Sequence, residues 1–152
     1  MPPRTLICEE TATINAPVEH VWAMLSGFGS IKGWMPMVDH CSVRGDGIGA
    51  VRTVVCGGGP PVDERLETFE PDKHTISYRI MDPTGLPMKG GFSTVSLVST
   101  DNGTRTEMTW RSDAEEIDQA GVRTINPIFL EFIRASMGYL KEVLARPGKP
   151  LL

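Results

Sequence analysis

The sequence predicts an α+β fold in which one curved, seven-stranded antiparallel sheet wraps around a long C-terminal helix. Turn-forming residues recur at short intervals between residues 37 and 111, which is typical of a meander of strands. After Ala114 the spacing of apolar residues changes from about two to about 3.6, which indicates a helix. The chain has 152 residues, the length of one domain, so we expect a single domain over residues 1–152.

The N-terminal part of the chain predicts one strand followed by two short helices. β-branched residues alternate with others from Thr5 to Ile14, as expected for a strand. Pro17 suits the first turn of a helix, where its missing N–H is harmless. The next apolar residues have the spacing of one helical face and are Val18, Val21, Trp22 and Leu25. A second helical turn is expected around residues 28–34, ending before Pro36.

The central part of the chain contains five clusters of turn-forming residues. They lie at residues 45–47, 57–60, 71–73, 82–85 and 101–103. Asn102-Gly103 is the strongest hairpin signal among them, because both residue types tolerate a positive φ. Strands separated by turns this close together pair as antiparallel neighbours.

The long helix is expected to begin at Asn126-Pro127 or a few residues earlier, because the pair reads as a cap and a first-turn proline. Its apolar stripe comprises Ile128, Phe129, Phe132, Ile133, Met137, Leu140, Val143 and Leu144. Pro147-Gly148 should stop the helix. One such helix covers only part of a curved sheet, so we expect a cavity between the two that holds a small molecule.

Composition excludes several classes of function. Lys and Arg number 15 against 19 Asp and Glu, giving a formal net charge of −4, whereas a nucleic-acid binder needs a positive footprint. No apolar run approaches the roughly 20 residues that span a bilayer. Residues 1–4 show no apolar secretory leader, so a cytoplasmic location is expected.

Cysteine and histidine spacing predicts neither a disulfide framework nor a metal site. The three cysteines, Cys8, Cys41 and Cys56, are widely spaced and are expected to be free, mostly buried thiols. The three histidines are dispersed and show no metal-binding spacing. We therefore expect no metal and no cofactor.

Strand alternation places several side chains inside the expected cavity. Between residues 62 and 69 the charged Asp63, Arg65 and Glu67 share one face, so Glu64 belongs to the other. By the same argument Tyr78 is expected to face inward, because it shares a strand face with the apolar Ile76 and Ile80. Trp110 and Met108 alternate with charged residues and are likewise expected inside.

Six short segments of the sequence resemble those of a known protein family. They are residues 14–22 (INAPVEHVW), 34–36 (WMP), 41–43 (CSV), 49–52 (GAVR), 64–67 (ERLE) and 78–80 (YRI). Together with the order of elements, they resemble the START-like, or Bet v 1-like (SRPBCC), superfamily and its helix-grip fold. The polyketide cyclase/dehydrase and lipid-transport group is the subgroup most resembled, and plant abscisic-acid receptors are similar too.

The resemblance extends the set of inward side chains where alternation alone is ambiguous. It implies that Arg52, Phe92 and Thr94 face the cavity. Asp39 shares parity with Cys41, and it stands where the resembled receptors carry a ligand-facing basic residue. That acid argues against an abscisic-acid receptor.

Four polar residues are the candidates for catalysis: Glu64, Asp39, Arg52 and Tyr78. A buried carboxyl group is a suitable proton donor or acceptor, whereas arginine and tyrosine suit the orientation of a carbonyl oxygen. The alternative is that Arg52 and Glu64 only tie two strands together. The expected ligand-binding residues are Trp34, Val54, Cys56, Leu86, Met88, Phe92, Thr94, Met108, Trp110, Phe129 and Ile133.

The resemblance implies an enzyme that binds a hydrophobic, oxygenated small molecule. It would catalyse cyclisation, dehydration or isomerisation by acid/base chemistry without a cofactor, as a monomer or homodimer. A carrier or sensor of a lipid-like or hormone-like ligand is the alternative, and a partner-binding module is a third. The glycine-rich loop at residues 57–61 and the loop at residues 82–90 would form a lid over the cavity.

Overall fold

The computed structural model describes residues 3–145 and confirms the predicted α+β architecture. Seven strands form one antiparallel sheet in the order β1-β7-β6-β5-β4-β3-β2. The strands are β1 (Thr5–Ile14), β2 (Val38–Arg44), β3 (Val51–Cys56), β4 (Val62–Glu70), β5 (Thr75–Ile80), β6 (Lys89–Thr100) and β7 (Arg105–Glu116). The helices are α1 (Val18–Leu25) and α2 (Gln119–Leu144), with 3₁₀ turns at Ile31–Gly33, Pro71–Lys73 and Asp101–Gly103.

The sheet is a meander from β2 to β7, with β1 paired to β7 at one edge. The turn between β6 and β7 places Asn102 and Gly103 at positive φ, as their residue types predict. Register shifts interrupt β1 between Leu6 and Cys8, and β4 between Leu66 and Thr68. An extra residue at such a bulge bends its strand, which helps the sheet to curve.

Helix α2 begins well before the expected Asn126-Pro127 start. The Asp118 carboxylate accepts a hydrogen bond from the Gly121 N–H at 2.7 Å and caps the helix at Gln119. Pro127 is therefore inside the helix, where it removes one backbone hydrogen bond. Asn126 does not cap; its side-chain amide donates to the Ile7 carbonyl of β1 at 2.8 Å. The predicted stop at Pro147-Gly148 lies outside the described residues.

The apolar core lies between the concave face of the sheet and the two helices. From α1 it takes Val21, Trp22 and Leu25, and from α2 it takes residues such as Ile125 and Leu140. Across residues 3–145, neither helix has the length and hydropathy that a membrane crossing would require.

We expect a sharp contrast between two isoleucines of α2. Ile125 is fully buried and Ile128 is 53 % exposed. Ile125→Ala should lower the free energy of unfolding by about 2–5 kcal/mol, because it leaves a cavity in the core. Ile128→Ala should change it by less than about 0.5 kcal/mol. Urea denaturation of both variants tests this, and equal losses would contradict the placement of α2.

Candidate functional site

A cavity of about 370 Å³ lies between the concave face of the sheet and α2. Its volume is within the range of about 300–1,000 Å³ that is usual for small-molecule sites. The wall is mainly apolar, with polar groups from β3, β4, β5, β6 and β7. The lining residues are Ile31, Met35, Arg52, Val54, Cys56, Gly59, Pro60, Val62, Glu64, Tyr78, Ile80, Thr84, Leu86, Ser93, Trp110, Ser112, Ile128, Phe129, Phe132 and Ile133.

A buried ion pair forms the charged part of the wall. Arg52 of β3 lies opposite Glu64 of β4 in the sheet register, so both side chains project from the same face. The Arg52 Nε donates to Glu64 Oε1 at 2.8 Å. Arg52 is only 3 % exposed, and the Glu64 side chain is 16 % exposed. The pair therefore places one compensated charge of each sign at the cavity surface.

The Arg52 guanidinium is held between two aromatic rings. Its central carbon lies 4.3 Å from the Phe28 ring centre and 4.5 Å from that of Tyr78. Its Nη1 also donates to the Phe28 carbonyl at 3.0 Å. Ring stacking, a carbonyl and a carboxylate together stabilise a cation that cannot lose its proton. This arrangement fixes both its position and its charge.

Tyr78 contributes a neutral hydroxyl to the same region. Burial raises the pKa of Tyr78 far above its ordinary value, and the nearby Glu64 carboxylate raises it further. Arg52, Ser93 and Trp110 oppose the increase without cancelling it. The Tyr78 hydroxyl therefore keeps its proton at neutral pH and can donate it in a hydrogen bond.

Two serines that the sequence analysis missed line the cavity beside Tyr78. Ser93 of β6 and Ser112 of β7 are paired in register, and their hydroxyl oxygens lie 2.7 Å apart. A signal for them existed in the sequence. The hairpin centred on residues 102–103 pairs Ser93 with Ser112, and Ser112 has the parity of the inward Trp110.

Two loops complete the cavity wall. Gly59 and Pro60 line it from the β3–β4 loop, and Thr84 and Leu86 from the β5–β6 loop. The Leu86 N–H donates to Thr84 Oγ1 at 3.1 Å, which holds the second loop in a tight turn. That these loops act as a lid stays a prediction.

Nine of the predicted site residues line the cavity: Arg52, Val54, Cys56, Glu64, Tyr78, Leu86, Trp110, Phe129 and Ile133. Their predicted roles in catalysis or binding stay predictions. Cys56 is free, and burial raises the pKa of its thiol, as do the Glu64 and Asp39 charges. It therefore adds a neutral wall group rather than a thiolate.

Asp39 does not face the cavity, contrary to the parity argument. The register of β2 shifts between Val38 and His40, so Asp39 is the extra residue of a bulge. Its side chain is exposed, and Oδ2 accepts a hydrogen bond from the Gly58 N–H at 2.8 Å. Asp39 therefore ties β2 to the loop that follows β3.

Phe92 and Thr94 also face away from the cavity. Phe92 is paired with Asp113 and Thr94 with Arg111, on the convex face of the sheet. The Arg4 guanidinium lies 5.3 Å from the Phe92 ring centre, and Phe92 is half-buried. The inward positions of β6 belong instead to the intervening residues.

Three further predicted ligand contacts are buried outside the cavity wall. Trp34 is 1 % exposed and lies behind Trp110, with their ring centres 5.9 Å apart. Met88 and Met108 are buried and do not line the cavity. These three side chains belong to the apolar core rather than to the cavity lining.

Within residues 3–145, no group of three or more His, Cys, Asp or Glu side chains is arranged to hold a metal ion.

We expect Arg52 and Glu64 to be energetically coupled. Glu64→Gln should lower the free energy of unfolding by about 3 kcal/mol, because it leaves a buried cation without a counterion. Arg52→Met/Glu64→Gln should lose less than the sum of the two single variants. The control is a second double-mutant cycle at the exposed ion pair of Asp101 and Arg105, using Asp101→Asn and Arg105→Met. The coupling energy between these two residues should stay below about 1 kcal/mol. Equal coupling in the two denaturation cycles would contradict the buried pair.

Tyr78 should make the protein sensitive to alkaline pH. Below the ordinary pKa of 10.0, both the folded and the unfolded state keep the Tyr78 proton. Above it the unfolded state ionises first, so stability falls as pH rises toward the higher pKa of the folded state. Tyr78→Phe should therefore lose less unfolding free energy than the wild type between about pH 9 and about pH 11. Tyr139→Phe controls for the loss of an exposed phenol, and parallel losses in wild type and Tyr78→Phe would refute the assignment.

Comparison with known proteins shows which family this chain resembles. Residues 5–145 match the family model described as polyketide cyclase / dehydrase and lipid transport. Abscisic acid receptor PYL6 of Arabidopsis thaliana is 38 % identical over 74 residues, which cover 45 % of this chain and 34 % of the receptor. The chain thus matches about a third of that relative's length.

Solved structures share the fold at low identity. The Zhui aromatase/cyclase from Streptomyces sp. R1128 superposes with a TM-score of 0.77 at 16 % identity, covering 95 % of this chain and 98 % of that one. Truncated norcoclaurine synthase from Thalictrum flavum superposes with a TM-score of 0.72 at 12 % identity, covering 95 % of each chain. With a family match over nearly all described residues and this fold around a cavity, the chain belongs to the polyketide cyclase/dehydrase and lipid-transport family.

Proposed function

We propose that this protein is an enzyme that binds a hydrophobic, oxygenated small molecule and catalyses cofactor-free cyclisation, dehydration or isomerisation. The supporting observation is a carboxylate fixed at the wall of an apolar cavity. Glu64 lines the cavity, and Arg52 Nε donates to its Oε1, which holds the carboxylate in place. A fixed carboxylate in such a place is suited to moving a proton.

Each polar group has a role in the proposed reaction. Glu64 removes a proton from the carbon next to a ligand carbonyl, and the electron pair moves onto the carbonyl oxygen. Tyr78 donates a hydrogen bond to that oxygen while its charge develops. In a dehydration, the electron pair returns to form a carbon–carbon double bond and the β-hydroxyl group leaves as water with the proton from Glu64. Arg52 keeps Glu64 in place through its Nε bond.

The apolar wall supports this proposal by limiting how a ligand can lie. Trp110 and Phe132 approach edge to face, with ring centres 6.1 Å apart, and form a rigid side of the cavity. A rigid wall selects one ligand conformation, and proximity to Glu64 then raises the rate. Asp39 has no part in this mechanism, because its side chain lies outside the cavity.

The test uses 4-hydroxy-4-(2-naphthyl)butan-2-one, a neutral β-hydroxy ketone. Loss of water gives the conjugated enone, which is followed by its ultraviolet absorbance. We expect the wild type to accelerate this dehydration over buffer, and Glu64→Gln to lower the rate by about 10²–10⁴-fold. Glu67→Gln is the matched control, because Glu67 is on the same strand and pairs with Arg65 outside the cavity.

Binding must be measured in the same variants. Glu64→Gln should still bind 2-isopropenylnaphthalene, as followed by tryptophan fluorescence, which separates loss of chemistry from loss of the cavity. Equal dehydration rates for the wild type and Glu64→Gln would contradict Glu64 as the proton carrier.

A carrier or sensor of a hydrophobic ligand is the second candidate, favoured by the sequence similarity to a protein named as a hormone receptor. Native mass spectrometry after gentle purification distinguishes the two. A co-purified ligand that is returned chemically unchanged, together with no dehydration above buffer, would favour the carrier.

A further inference from the structure

The charges at the cavity wall compensate one another. Among the described lining residues, Arg52 and Glu64 are the charged ones, and each neutralises the other. A ligand carboxylate or phosphate would either displace Glu64 from Arg52 or be buried without a counterion. Both are unfavourable in a largely apolar cavity. The wall is therefore matched to an uncharged ligand.

The Ser93–Ser112 pair carries one more hydrogen-bond donor than the bond between the two hydroxyl groups uses. Both serines are buried, at 3 % and 2 % exposure, and both line the cavity. The two hydroxyl groups share one hydrogen bond but carry two protons, so one proton is left over. Ser112 is also in hydrogen-bond contact with the Cys8 thiol of β1, and Ser93 with the Tyr78 hydroxyl. Each of these groups carries its own proton, so a chain of four groups joined by three links still has one proton more than it has links. A buried donor normally has an acceptor.

Tyr78, Ser93 and Ser112 form a row across three neighbouring strands. Tyr78 is paired in register with Ser93, and Ser93 with Ser112. Residues paired in this way lie on one face, about 4.8 Å apart from strand to strand. The row offers neutral donors, which suit a keto oxygen.

We propose that the cavity selects uncharged ligands and holds a ligand keto oxygen through the Ser93–Ser112 pair beside Tyr78. The inference rests on the proposed function, because it concerns the same cavity and names the class of its substrate. It assigns specificity to two residues that have no part in the proton transfer.

The test compares three probes of the same shape: 2-acetylnaphthalene, 2-isopropenylnaphthalene and 2-naphthoate. They differ only in carrying a ketone, a hydrocarbon or a carboxylate. We expect the wild type to bind the ketone roughly fivefold to tenfold more tightly than the hydrocarbon, the size of one neutral hydrogen bond. The carboxylate should bind at least about tenfold more weakly than the ketone. Titration calorimetry measures all three.

The decisive variant is Ser93→Ala/Ser112→Ala. Because both hydroxyl groups are removed together, neither is left without the other as a hydrogen-bond partner, and the fold should be retained. The preference for ketone over hydrocarbon should fall at least about threefold, because only the Tyr78 hydroxyl remains as a donor, whereas hydrocarbon affinity should not change. Ser42→Ala/Ser96→Ala, at two serines outside the cavity, is the matched control and should behave as the wild type. An unchanged ketone preference in the double variant would overturn the role of the serine pair.

Glu64→Gln tests the origin of charge selection. It removes the counterion of Arg52, so 2-naphthoate should bind at least about tenfold more tightly than it does to the wild type. Unchanged binding of 2-naphthoate to Glu64→Gln would show that the Arg52–Glu64 ion pair is not the reason that the cavity excludes anionic ligands. A wild type that dehydrates the hydroxy ketone but shows no preference for ketone over hydrocarbon would overturn this inference alone. Failure of all three probes to bind to the wild type would overturn it together with the proposed function.

Discussion

The rest of the cavity depends on how the fold accommodates one buried guanidinium. Arginine stays charged in proteins, so burying Arg52 requires partners from several parts of the chain. Glu64 supplies the opposite charge, the Phe28 carbonyl accepts a second N–H, and the Phe28 and Tyr78 rings cover both faces. These contacts join β3, β4 and β5 to the segment after α1. They also leave the polar side of the cavity without net charge.

The cavity exists because a single helix covers a curved sheet. Helix α2 packs against β1 and fills one side, and the bulges in β1, β2 and β4 bend the strands. At Gly91 an added Cβ would lie 2.8 Å from the end of the Met88 side chain and 3.3 Å from the Ile80 Cβ, so a glycine here allows these side chains to pack closely against β6. The apolar wall and the neutral hydrogen-bond donors then determine which ligands the cavity can bind.

Proteins of this fold are named both as enzymes and as receptors, so the fold alone does not decide the function. The decision lies with a few side chains. Here the carboxylate that reaches the cavity is Glu64, whereas Asp39 is turned outward by a bulge and bound to a loop N–H. One paired carboxylate and several neutral hydroxyl groups are the features on which we base the proposal of proton transfer next to a carbonyl.

The sequence by itself determined the fold class, the turns and the inward direction of Glu64, Tyr78 and Trp110. Alternation was sufficient there, because charged neighbours mark the outer face of each strand. The tertiary structure decided what depends on partners distant in the chain. The bulge at Asp39 follows from the register of β2 with β3. The Asp118 cap at the start of α2 is a local signal, whereas the bond that Asn126 makes to the Ile7 carbonyl of β1 joins residues far apart in the chain.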